Sequence, residues 1–197
     1  MELSELLAKR RMVRSFDGSP VDMDWLDAAC ATSLWSPTAG NSAGVRMHTI
    51  AAPLVSAYFD VATDELWRNT AKRAPGLKRA GAVVLITSRP QDYVERYSED
   101  DKASSGLDRE EAWPIPYWHT DAAMATMALL LLIEEAALQA TIWGNFRNDA
   151  AVLRWAGIAN EELFASVLIG LADGQDHVSP SLTREVPSRA ARVRRVL

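Results

Sequence analysis

From Ala122 to Ile133 every residue is Ala, Met, Thr, Leu or Ile, and the run stops at Glu134 and Glu135. A bilayer span needs about 20 apolar residues, so this stretch reads as a helix buried in protein, expected over about Asp121 to Gln139. A helix apolar nearly all round has no face to give to water. In a chain of 197 residues with few strong strands such a helix is hard to cover from within, which points to a second copy lying over it.

The rest of the composition removes several function classes. A net charge of −5 argues against duplex nucleic acid as the main partner, because phosphate binding needs a basic face. Cys30 is the single cysteine, which excludes an internal disulfide framework and a Cys-rich zinc site. It suits a reducing cytoplasm. Met1 to Val13 is charged and lacks the apolar core of a signal peptide, so the expectation is a cytoplasmic protein away from membranes.

Along the chain, Ser4 to Val13 reads as a short helix capped by Ser4. A second helix starts at Asp22 or Asp24 and turns Trp25, Leu26, Ala28 and Ala29 inward. Ser36 to Ser42 is a loop by composition. Val45, Met47 and Thr49 then alternate with Arg46 and His48 in the period of a half-buried strand. Pro53 to Thr63 suits a helix, and Ala82 to Thr87 a central strand. The pattern is lost from Arg89 to Trp118, the kind of stretch that often forms a lid or partner-contacting loop. Thr141 to Trp143 suits a short strand. Asn148 caps a helix that Gly157 stops, and Phe164 to Leu171 is the last strong strand. An arginine-rich arm begins at Ser179. Helices outweigh strands and the strands are irregularly spaced, so the class is α+β in a single domain over 1–197.

Few motifs carry chemistry by themselves. Gly40-Asn41-Ser42-Ala43-Gly44 has the form G-x-S-x-G, but a nucleophile elbow needs a strand before and a helix after its serine. Here a Pro-bearing loop precedes and a strand follows. His177 would have to serve as base. His48, His119 and His177 form no metal-ligand spacing, and no glycine-rich dinucleotide or P-loop motif occurs. Arg10, Arg11 and Arg14 lie within five residues. Such a cluster suits a phosphate monoester through planar bidentate hydrogen bonds, or else a solvated helix C-terminus whose dipole it complements.

Lys9-Arg10-Arg11-Met12-Val13-Arg14-Ser15-Phe16, followed by Ser36-Pro37-Thr38-Ala39-Gly40-Asn41-Ser42, resembles the opening of the nitroreductase family, with its R-R-S-x-R-x-F pattern and its P-S-A-G-N-S-Q-P-W loop. The likeness continues through the Ala-rich helix after Asp121, the segment Ile142-Trp143-Gly144-Asn145-Phe146, the strand Phe164 to Leu171, and Arg184. It spans nearly the whole chain apart from 89–118.

The resemblance implies a nitroreductase-like α+β fold: a central mixed β-sheet flanked by helices, with the long buried helix at a homodimer interface. It implies FMN held between subunits. Arg10, Arg11 and Arg14 would grip the phosphate or ribityl chain, joined by Arg184. Met12 replaces the family's usual Ser, which leaves a backbone contact only. Pro37, Thr38, Ala39 and Asn41 would come from the other subunit, and Ile142, Trp143 and Gly144 would face the flavin ring. The implied activity is NAD(P)H oxidation in a ping-pong cycle that reduces nitroaromatics, quinones or similar small acceptors, with NADH or NADPH as donor and no acid–base side chain identified. The chain departs from the family pattern at Ala43-Gly44-Val45, where Gln and Trp are lost. That departure supports an alternative, an FMN-binding storage or sensing protein with little turnover. Trp113, Tyr117 and Trp118 have two open readings, as a stacking surface over the substrate face or as interface core.

Overall fold

The computed structural model describes residues 2–144, 147–177 and 179–196. The two strongest strand-like runs form the middle of its sheet. β2 (Ala82–Ser88) is buried at every residue, and β4 (Glu162–Gly170) is buried over its last six. β1 (Val45–Ala51) and β3 (Gln139–Trp143) flank them in the order β1-β2-β4-β3. All three pairings of these strands are antiparallel. A parallel element enters this sheet through a bridge from Met12 to Ala140.

That bridge explains why the first helix stops short of Val13, where the sequence pattern carries it. α1 spans Leu3–Lys9 and starts at Glu2 rather than Ser4, with the Glu2 amide donating to the Glu5 carboxylate at 3.2 Å. Beyond Arg10 the chain becomes extended, because Val13 donates to the carbonyl of Ala140 at 3.0 Å and the backbone pairs with the edge of β3. The strap continues to Phe16, which bridges to Ala172.

One face of the sheet packs on α2 (Met23–Ser33) and α7 (Tyr117–Glu135). Asp22 caps α2 by accepting from the amides of Asp24 and Trp25. Leu26, Ala29 and Cys30 point into this core, whereas Trp25 is half-buried and Ala28 is exposed. α7 buries Ala122, Ala125, Leu129, Leu130 and Ile133 and leaves Tyr117 and Met124 exposed. The opposite face is covered by α3 (Ala52–Ala62), through Val55, Tyr58 and Phe59, and by Val152 of α8 (Asp149–Trp155). α8 follows Asn148, whose side chain makes no capping bond, and ends at Gly157 with φ +71°.

Three helices lie where the sequence pattern is silent. α4 (Glu65–Thr70) and α5 (Ala74–Leu77) connect α3 to β2. α6 (Pro90–Tyr97) opens the 89–118 stretch, in which Tyr93, Trp113 and Trp118 form a small core of their own. The tail carries two short 3-10 turns, Pro180–Thr183 and Ala190–Arg192, and is exposed from Ser181 onward.

Candidate functional site

β3 ends in Ile142 and Trp143, and its exit faces α4. There a cleft of about 430 Å³ is lined by Thr63, Trp67, Ile142, Trp143, Gly144 and Asn148, among others. Its indole wall is built by packing. Asp64 caps α4 by accepting from the Trp67 amide at 2.7 Å, Trp67 stacks on the buried Phe59, and Trp143 meets Trp67 edge-on at 4.9 Å. A second cleft of about 680 Å³ meets the first at Trp67 and Trp143 and adds Arg14, Lys72, Arg73 and His177. The arrangement is a groove with aromatic walls and a cationic end.

The strap shapes that end. The Arg14 amide donates to Asp176 Oδ2 at 2.9 Å, and its Nη1 donates to the Met12 carbonyl at 3.3 Å. Ser15 donates to Asp173 Oδ2 at 2.8 Å, and Arg79 pairs with the same carboxylate. The Gln175 amide, Ser15 and Arg79 together hold the Asp173 carboxyl below its ordinary value. Arg79 is therefore neutralised, while Arg14, Lys72 and Arg73 make no ion pair among the described residues. Next along the strap, Arg10 has Nε and Nη1 buried without a hydrogen-bond partner among the described residues. A buried guanidinium without acceptors is costly, and an anionic ligand would satisfy it. The Trp143 Nε1 donor is left in the same state.

The residues expected at a site therefore fall into groups. Arg14, Ile142, Trp143 and Gly144 line the groove. Met12 sits on the strap as the bridge to Ala140. Arg11 turns back, its Nη1 donating to the carbonyls of Ala8, Lys9 and Arg10 at the end of α1. Pro37, Thr38, Ala39 and Asn41 lie outside the groove, on the 36–44 loop. Arg184 is exposed in the tail. Asn145 and Phe146 lie outside the described residues. Trp67, Lys72 and Arg73 line the groove without having been singled out, and His177, considered above only as a hydrolase base or metal ligand, joins them. The adjacent pair Lys72-Arg73 was a second basic cluster in an acidic chain, and that was the available signal.

The 36–44 loop is held from its own side. Asp121, 2% exposed, accepts from the Ala39 amide at 2.8 Å and from the Tyr93 hydroxyl at 2.9 Å. Burial, reinforced by the Asp121 carboxylate, pushes the Tyr93 phenol upward. Ser42 is followed by β1 rather than a helix, and His177 lines the cationic end of the groove. The loop thus lacks the strand–turn–helix setting of a nucleophile elbow. His48 pairs with Glu161 at 2.8 Å and His119 with Glu162 at 3.2 Å. Among the described residues no three His, Cys, Asp or Glu side chains gather as a metal set, and no helix is long and apolar enough to cross a membrane.

Comparison with known proteins sets this geometry in context. The model of the nitroreductase family matches residues 7–171. A nitroreductase family protein from Streptococcus pneumoniae superposes with a TM-score of 0.74 at 15% identity, covering 98% of this chain and 100% of that one. The nitroreductase CinD from Lactococcus lactis, solved in complex with 4-nitrophenol, gives 0.70 at 16% identity, covering 95% and 100%. A structure from Exiguobacterium sibiricum in complex with FMN gives 0.70 at 13% identity, covering 95% and 94%. No curated protein sequence matches the chain.

Proposed function

This chain belongs to the nitroreductase family, and from that premise we propose that it is an FMN-dependent NAD(P)H oxidoreductase acting on nitroaromatic, quinone or similar small acceptors in a ping-pong cycle. The observation that carries the reading is the groove. It has indole walls at one end and Arg14, Lys72 and Arg73 at the other, and four residues before Arg14 the Arg10 guanidinium keeps two buried nitrogens without acceptors among the described residues. A flat aromatic ring with an anionic tail matches that gradient of chemistry.

Arg14, Lys72 and Arg73 would hold the phosphate end, with Arg10 completing its charge. Ile142, Trp143 and Gly144 would flank the ring. Bound there, FMN supplies the hydride- and electron-transfer chemistry. The protein's part is to orient the ring, to exclude water with Trp67 and Trp143, and to place cations and N–H donors where negative charge develops. Pro37, Thr38, Ala39 and Asn41 of a second copy would close the groove in a homodimer, since in their own protomer they lie outside it.

The specific observation behind the alternative is Ala43. It is exposed, with φ 52°, and offers no side-chain hydrogen bond where the family pattern has Gln. A storage or sensing protein would bind FMN and leave it oxidised when a donor is present.

Visible absorption of the purified protein with added FMN, followed by anaerobic NADH or NADPH, tests the reading. The expected result is a bound flavin band that bleaches, with Arg14→Ala raising the FMN Kd about tenfold or more, the size of a lost charge-assisted contact. A band that persists favours the storage reading. Absence of any bound band overturns both.

A further inference from the structure

The 36–44 loop passes three times through the left-handed region, which Gly40 and Asn41 accept readily and Ala43 does not. Gly40, Asn41 and Ala43 have φ of 63°, 57° and 52°. The left-handed region is costly for residues with a Cβ, and such backbone persists only where its surroundings over-determine it. The 89–118 stretch supplies part of those surroundings, beside Asp121 and the Thr38 hydroxyl, which accepts from the Ala43 amide at 3.2 Å. Arg96 of α6 donates through Nε to the Gly40 carbonyl at 2.8 Å, and its Nη1 and Nη2 fork onto Asp101 at 2.7 Å each. Tyr93 of the same helix shares Asp121 Oδ2 with the Ala39 amide.

The two tyrosines of α6 also rest on the two glycines. A Cβ at Gly40 would lie 2.6 Å from the Tyr97 ring, and one at Gly44 would lie 2.3 Å from the Tyr93 ring. Gly44 is one of the positions where the chain leaves the family pattern, so that departure packs against the stretch to which the likeness does not extend. The stretch is itself braced, with Trp113 edge-on to Tyr97 at 4.6 Å and to Tyr93 at 6.0 Å, and its Nε1 on the Leu107 carbonyl.

We propose that the 89–118 segment is a clamp on the cofactor loop: Tyr93, acting through Asp121, and Arg96, acting on Gly40, fix the conformation in which Thr38–Asn41 meet the flavin. Tyr93 and Arg96 are thus positioning residues of the redox site. The inference rests on the flavin reading above, and it identifies which part of the chain tunes that site.

The test compares the wild-type protein with Tyr93→Phe, Arg96→Met and, as a control, Thr126→Val. The control removes a buried hydrogen bond within α7, to Ala122, away from the loop. Two quantities are read: FMN affinity by flavin fluorescence titration, and hydrogen exchange over residues 37–44 in the flavin-free protein. Tyr93→Phe and Arg96→Met are expected to speed exchange in the loop and to raise the FMN Kd about fivefold each, the factor for one hydrogen bond's worth of lost preorganisation. Thr126→Val is expected to lower Tm while leaving both readouts unchanged. Faster exchange with wild-type FMN affinity overturns the positioning role, and so does unchanged exchange. Wild-type protein that binds no FMN overturns the functional reading, and this inference with it.

Discussion

Arg10 and Arg11 are neighbours in sequence and meet opposite fates. The guanidinium of Arg11 folds back onto the last carbonyls of α1, while that of Arg10 keeps two buried nitrogens without acceptors. A basic cluster after a helix can bind an anion or satisfy the helix end, and here one arginine does the second while its neighbour is left for the first. Cys30 makes a simpler case. It is 5% exposed, and burial, with a smaller push from Asp27, raises its thiol to about 12. At pH 8 it is therefore neutral as well as inaccessible. Titration with a disulfide reagent is expected to count no thiol in the native protein and one after denaturation. A native thiol reacting within minutes would contradict the packing of α2.

At the scale of elements, what the sequence reveals is what repeats. α7, β2 and β4 were legible because their apolar runs are long, and in β2 and the last six residues of β4 every residue is buried. α4, α5 and α6 were not, because six, four and eight residues are too few for a periodic signal and too short to be stable alone. They exist through particular contacts: the Asp64 cap, the stacking of Trp67 on Phe59, the insertion of Tyr93 beside Trp113 and Trp118. The same limit applied to the site. Arg14 and Trp143 were readable from motif resemblance, whereas Lys72 and Arg73 reach the groove only because α4 and α5 turn back toward β3. The core weight of α7 can be measured. Leu129 is fully buried against the sheet, and Leu129→Ala is expected to cost about 3 kcal/mol in urea denaturation. A loss below about 1 kcal/mol would mean that the helix is not packed as described.

At the scale of the molecule, the apolar surface is unevenly distributed. Met124 and Tyr117 on α7 are 42% and 39% exposed, and Leu3 and Leu7 on the adjoining α1 are more exposed still. Exposed apolar side chains of this kind on two neighbouring helices suit an interaction surface, and a second copy is the occupant the proposed shared cofactor site requires. Light scattering is expected to give about twice 21.7 kDa. Met124→Lys is expected to move the protein toward the monomer and to weaken FMN binding at the same time, since a groove lacking the second copy's 37–41 loop is open on one side. A monomer that keeps full FMN affinity would refute the shared site.

The strap from Met12 to Asp17 carries a consequence for the order in which the molecule assembles. Its backbone partners are Ala140, Gly76 and Leu171, and its carboxylate partners are Asp173 and Asp176. Nearly all of them belong to the second half of the chain. Contacts so distant in sequence form late, because the loop they close must be ordered first. During synthesis the Arg14 amide therefore has no partner until Asp176, beyond the last strand, has emerged, whereas Arg11 is seated at once on the carbonyls of its own helix end. The cationic end of the groove takes shape only once residues 140–177 have been made, so on the proposed reading cofactor capture follows that step rather than preceding it.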